Sequence, residues 1–408
     1  MASNMTRREA LQRFAVGGAG LALGGTLLTA CGSSDGSSSG GRGGGSDEPI
    51  RVGAITDLTG AYGIVGKANK AIAEFTVDEI NANGGVLGRP IELIVVDGAS
   101  DPATWGKVAR QLVTRDKVEM VIGDVSSAER EAVKSIIAGR GRTLYICPAS
   151  YEGGECYENT WTVGAVPNQQ VNPTVDYLLE QGARSFYLCG NDYSYPRNVL
   201  KAARARIEEG GGEVVGEDYI PVSATDAPEL VRKTISSNAD AVFEVIVLPA
   251  SVPYIKGVVD GGYEGLIAGT LFDETINPLF GRQAQGLIGA QDYFATIDDP
   301  FTKQEVAAFR KKYPKAPFGS ALNSPAWYRG LYLWKVAVEN AGSTDLDAVN
   351  EAMNSASYDR LIGGPSRFVP GTKHVELTMY LGEMQADGSV KVLKDLGPQE
   401  PEGQCNAS

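Results

Sequence analysis

From Ile50 onward, short apolar runs alternate with longer segments whose apolar residues recur at helical spacing. IRVGAIT (50–56) and PIELIVVDG (90–98) read as buried strands, since short, mainly apolar runs rich in β-branched residues suit a sheet covered on both faces. Between them, KAIAEFTVDEINANGG (70–85) sets Ile72, Phe75, Glu79 and Ile80 at helical intervals ahead of a Gly84-Gly85 stop. WGKVARQLVTRDK predicts a second amphipathic helix, VEMVIGDV a third strand, SSAEREAVKSIIAGRG a third helix and TLYICPAS a fourth strand. Strand–helix–strand repetition implies parallel pairing, because each crossover helix returns the chain to the same end of the sheet.

The pattern pauses at TWTVGAVPNQQ (160–170) and then restarts. SFYLCGND, EVVGEDYI, ADAVFEVIVL, LIAGTL and LIGAQDYFA predict five more strands with helices between them, the first helix spanning 198–209. Helices are expected around EVAAFRKKY, WYRGLYLWKVAVENAG and LDAVNEAMN, and VELTMYLGEMQADGSVKVLKDL reads as a hairpin turning at Ala386-Asp387-Gly388. The expected fold is α/β, with two Rossmann-like lobes of parallel sheet joined by extended crossover segments. In such folds a ligand lies beyond the carboxyl ends of the strands, in a cleft the lobes share.

The first thirty residues point to export. MTRREALQRF is basic, AVGGAGLALGGTLL is apolar for about a dozen residues, and small residues precede Cys31, as in a secretory signal. Thr6-Arg7-Arg8 is similar to a twin-arginine signal, with Ala10 where a bulky apolar residue is usual. Leu28-Thr29-Ala30-Cys31 resembles a lipobox, which implies that Cys31 is lipidated. GSSDGSSSGGRGGGSDE (32–48) cannot bury anything and forms a flexible tether with a mean reach of roughly 20 to 25 Å. The expected location is the outer face of the cytoplasmic membrane or the periplasm.

Composition narrows the function. The 408 residues carry a formal charge of −13, which argues against nucleic acid as a partner. The only histidine, His374, lies in a strand-like segment and reads as a surface or edge-strand residue. One histidine leaves no Ser-His-Asp or Cys-His arrangement of the ordinary kind, and no Cys/His cluster has zinc spacing. No phosphate-binding Gly-rich loop precedes a Lys-Ser/Thr pair. The chain is expected to use no metal or cofactor and to perform no catalysis.

Polar and aromatic residues gather where the strands end: Ser126-Ser127, Ala149-Ser150-Tyr151, Tyr193 and Tyr195, and Asp273-Glu274. Serines opening a helix cap backbone donors, and the same helix end receives a carbonyl or carboxylate oxygen. NANGGVLGRPIELIVVDGASD (81–101), CPASYEGGEC (147–156) and GNDYSYPR (190–197) closely resemble the type I periplasmic solute-binding proteins of ABC importers. The branch they resemble is that of urea and short-chain amides, related to the branched-chain amino-acid binders.

The resemblance implies that Ser127, with Ser126 beside it, holds the ligand's carbonyl or carboxylate. It implies further contacts from Ala149, Ser150 and Tyr151, closure by Tyr193 and Tyr195, and a cleft-wall aromatic in Tyr62. Asp273 or Glu274 falls where amino-acid binders place an acid for the ligand ammonium. Val125 and Ala149 stand where urea and amide binders carry an aromatic and a hydroxyl, so a pocket larger than urea needs is expected. Implied boundaries are 1–30 for the signal, 31–48 for the lipidated cysteine and linker, 49–167 plus 296–361 for one lobe and 168–295 plus 362–400 for the other. The implied partners are a small amide, urea or amino acid, the permease subunits of an ABC transporter, and the membrane through the lipid. The same fold also serves ligand-sensing regulators; the export signal argues against that use.

Outside the membrane, thiols oxidise. Without histidine partners the two cysteines of CPASYEGGEC are neither nucleophile nor metal knuckle, and a Cys147–Cys156 bridge bracing the loop is the preferred pairing. Cys189 and Cys405 would make a second bridge, although four cysteines allow three connectivities.

Overall fold

The computed structural model describes residues 48–405. The export signal, Cys31 and most of the Gly/Ser linker lie outside them. The first lobe is built on β1 (Ile50–Thr56), β2 (Ile91–Asp97), β3 (Met120–Ile122), β4 (Leu144–Cys147) and β5 (Thr160–Thr162), with helices α1 (Gly63–Ala82), α2 (Pro102–Gln111) and α3 (Ser127–Lys134) in the crossovers. The second lobe holds α4 (Pro167–Glu180), β6 (Ser185–Asn191), α5 (Ser194–Glu209), β7 (Glu213–Ile220), α6 (Pro228–Ser237), β8 (Ala241–Val245), α7 (Ser251–Asp260), β9 (Leu266–Gly269), the short α8 (Asn277–Phe280) and β10 (Leu287–Gln291). The chain then returns to pack α9 (Pro300–Lys312) and α10 (Ser324–Ala341) against α1, and α11 (Leu346–Met353) against α10. It ends in β11 (Ser357–Tyr358), β12 (Ser366–Val369), β13 (His374–Met384) and β14 (Val390–Gln399).

The strands lie in the order β2-β1-β3-β4-β5-β13-β10-β9-β8-β6-β7, parallel within each lobe. β13 joins the halves: His374 pairs with Thr162 of β5, and residues 380–383 run antiparallel to β10. The hairpin forms as its sequence predicts, with Gly388 N–H donating to Gln385 at 3.0 Å. Helix starts follow local chemistry. Asp101 and Asp299 cap α2 and α9 by accepting from Thr104 N–H at 2.9 Å and Thr302 N–H at 2.7 Å, each followed by a proline in the first turn.

Two crossovers, 163–166 and 292–299, are fastened from below by one buried side chain. Arg329 of α10, 1% exposed, donates to the Val163 carbonyl and to Asp292 Oδ2, both at 2.6 Å. Ser320 donates to the other Asp292 oxygen at 2.5 Å. Next to this knot Gly164 passes so close to the Ala149 carbonyl that any Cβ would collide with it, so a glycine is needed where crossover and strand-end loop touch.

The cysteines pair differently from the expectation. Cys156 is bonded to Cys405, while Cys147 and Cys189 are buried thiols in β4 and β6. Cys147 faces the core between strand and helix, so it cannot reach a partner on the exposed end of its own loop. The C-terminal tail instead folds over the first lobe, and Gln404 accepts from Gly154 N–H at 2.5 Å. The pairing spans 249 residues, a separation that spacing alone does not reveal.

Two outcomes are expected. Arg329→Met should cost about 3 to 5 kcal/mol in urea unfolding by stranding a buried carboxylate, and adding Asp292→Asn should recover most of the loss. Burial pushes the Cys147 and Cys189 thiols well up from their ordinary range, so a thiol reagent should label them only after unfolding, and a non-reducing digest should link Cys156 to Cys405.

Candidate ligand-binding cleft

A cleft of about 900 Å3 opens between the lobes at the carboxyl ends of the strands. The loop after β1 brings Tyr62, the start of α3 brings Ser126 and Ser127, and the loop after β4 brings Ala149, Ser150 and Tyr151. From the second lobe come Tyr193 and Tyr195 at the start of α5. All eight line the cleft, their elements converging because parallel strands end on one side.

Asp273 and Glu274 are the exceptions. β9 ends at Gly269, so Thr270 and Leu271 take the wall position and the acids lie beyond it. Asp273 is fully buried and accepts from Thr275 N–H and Ala321 N–H, both at 2.8 Å. Glu274 accepts from Ala295 N–H at 2.5 Å, and burial with Asp273 nearby pushes it up to about 7. Both acids stitch loops together. Among the described residues no carboxylate lines the cleft.

The backbone amides of the β4 loop are also occupied. Ala149 N–H donates to Asp124 at 2.9 Å, and Ser150 N–H donates to Asn323 at 3.4 Å. Burial pushes Asp124 up to about 6, against the pull of Arg130. In the second lobe the Tyr195 hydroxyl sits 3.0 Å from Thr270 Oγ1, and Gln291 donates to the Thr270 carbonyl at 2.8 Å while its own oxygen accepts from Gln170 at 3.1 Å. These amides form a polar floor under the cleft.

Two residues absent from the sequence reading shape the polar end. Arg130, one turn into α3 and 3% exposed, lines the cleft, and its guanidinium lies 4.4 Å from the Tyr151 ring centroid. Glu152 accepts from Ser127 Oγ at 2.6 Å, from Arg130 at 3.2 Å and, across the cleft, from Ser194 at 3.2 Å. The glutamate of the YEGGE run was visible, but its spacing does not say that both lobes meet on it.

His374 is a buried residue of a joining strand, 1% exposed, and not the surface residue its alternating neighbours suggest. Both sides of β13 are covered there, by β12 and β5. Nδ1 lies 2.5 Å from the Thr372 carbonyl, so it carries the proton. Nε2 accepts from the Tyr151 hydroxyl, which in turn accepts from Glu155 N–H at 3.0 Å. The cleft tyrosine is thereby tied to the strand that joins the lobes.

The model of the family described as periplasmic binding protein matches residues 49–389. The chain belongs to this family. A Leu/Ile/Val-binding protein homolog 6 from Brucella suis is 23% identical over 366 residues, covering 87% of this chain and 92% of the relative. An ABC transporter substrate-binding protein from Sphaerobacter thermophilus superposes with a TM-score of 0.78 at 25% identity, over 88% of this chain and 99% of that one. A solute-binding protein of an ABC transporter from Rhodopseudomonas palustris, in complex with p-hydroxybenzoic acid, gives 0.77 at 22% identity over 88% and 98%. This periplasmic binding protein thus shares its α/β fold with the solute-binding proteins named above.

Burial lowers the His374 ring from its ordinary 6.5 to about 4. Between those values the unfolded chain binds a proton that the folded one refuses, so stability is lost as pH falls through that window, by on the order of 3 kcal/mol. Urea midpoints of the periplasmic binding protein and His374→Gln, followed from pH 7.5 to 4.5, should converge as the pH drops.

Proposed function

We propose that the chain is the solute receptor of an ABC importer, anchored through Cys31 outside the cytoplasmic membrane, which closes its lobes on a small solute with an apolar body. The observation that carries the reading is the distribution of exposed large hydrophobic side chains. Ile64, Val222, Leu248 and Leu279 are 71%, 49%, 40% and 45% exposed, and all four line the cleft, one from the first lobe and three from the second. Exposed apolar surface gathered at a cleft mouth is stabilised by a ligand that covers it. Val125 and Ala149 in the wall leave room for such a body.

Tyr62, Ser126, Ser127, Ala149, Ser150, Tyr151, Tyr193 and Tyr195 are the proposed contacts, with the lobes taken as 49–167 plus 296–361 and 168–295 plus 362–400. Urea has no apolar body to bury. An aliphatic amino acid would bring an ammonium whose nearest carboxylate, Glu152, is already engaged by Ser127, Arg130 and Ser194, an unfavourable burial. A larger amide fits the branch to which the loop motifs are similar. Contacts from both lobes favour the closed form when solute is present.

A thermal-shift screen of urea, acetamide, leucine and C4 to C7 aliphatic and aromatic amides tests this. Stabilisation of about 2.7 kcal/mol at a hundredfold excess over Kd is expected for the larger amides and none for urea. A shift with urea and none with any larger solute would overturn the apolar-body reading.

A further inference from the structure

A buried arginine beside the start of a helix resembles a receptor for a solute carboxylate, since guanidinium and first-turn N–H groups both favour anions. Arg130 is the one charged residue lining the cleft among those described. Its guanidinium, however, is surrounded: Glu152 lies at 3.2 Å, Glu155 at 3.4 Å and Asp124 at 3.9 Å. Lys134 adds a second cation, 3.1 Å from Glu155. Three carboxylates against two cations leave no surplus positive charge at this end of the cleft. The half-exposed Glu131, 3.8 Å from Arg130, tips the balance further.

The hydroxyl that would hold a solute carboxylate is occupied as well. Ser127 Oγ donates to Glu152 at 2.6 Å, and Ser194 holds the other oxygen of that carboxylate from the opposite lobe at 3.2 Å. We propose that Glu152 sets the charge selectivity of the cleft: by occupying Ser127 and Arg130 from within the chain, it excludes a carboxylate and admits an uncharged head group such as a carboxamide or hydroxyl. A second carboxylate here would face like charge at close range and find Ser127 Oγ and Arg130 Nη2 taken, while Arg130 Nε and Nη1 lie buried among Asp124, Glu131 and Glu155. A carbonyl oxygen meets no such repulsion, and although the capping box uses the Ser126 and Glu129 N–H groups, those of Ser127 and Ala128 have no acceptor within the helix. Glu152 acts through Arg130 and Ser127 and is a positioning residue for the head group. The inference rests on the apolar-body reading above.

The test uses two isosteric pairs that differ in charge, benzamide with benzoate and isovaleramide with isovalerate, titrated calorimetrically at pH 7.5 and fixed ionic strength. The wild-type protein is expected to bind each amide more tightly than its acid by at least about tenfold, and Glu152→Gln to shrink or reverse that ratio by about tenfold. A merely structural Glu152 would weaken both members of a pair equally. Acids binding the wild type as well as amides do, a result that needs no variant, would overturn the charge selection and leave the apolar-body reading standing. The same holds for an unchanged ratio in Glu152→Gln. Binding of neither member of either pair to the wild type would overturn both.

Discussion

The Arg329–Asp292 pair is the contact on which the arrangement of the lobes depends. A guanidinium so deeply buried is tolerable only with its charge matched, and here the Asp292 carboxylate of one crossover and the Val163 carbonyl of the other hold its two terminal nitrogens, leaving Nε alone without a partner. Neither segment can shift far without stranding a charge. The strands on either side are thereby held with their carboxyl ends toward one cleft. Gly164 and the Gln170–Gln291 contact sit beside the knot, so the floor of the cleft and the joint between the lobes are the same piece of structure.

Most of this fold can be read from periodicity. β-branched apolar runs locate the strands within a few residues because parallel strands are buried on both faces. Helix starts are less legible. α1 begins at Gly63 rather than near Lys70, and α5 at Ser194 rather than Asn198, since neither helix has a side-chain cap at its start to mark the boundary.

The cleft was legible where chemistry sits directly at a strand end, as with Ser127, Tyr151 and Tyr193. It was illegible where a side chain acts two or three residues past that end. Asp273 looks like a ligand acid until β9 stops at Gly269 and the carboxylate turns into its own loop. Glu152 looks like loop filler until Ser127, Arg130 and Ser194 converge on it from three elements. His374 was misread for a similar reason: alternation within β13 says nothing of the strands that cover it.

The Cys156–Cys405 bond gives the described chain a particular mechanical layout. At one end Arg89 of the first lobe donates to the Glu48 carbonyl at 2.8 Å, and at the other the tail is bonded to the first lobe's own loop. The second lobe therefore hangs between internal strands, with no free end of its own. A movement of that lobe would take place inside a closed loop of covalent bonds, without either end of the described chain having to travel with it.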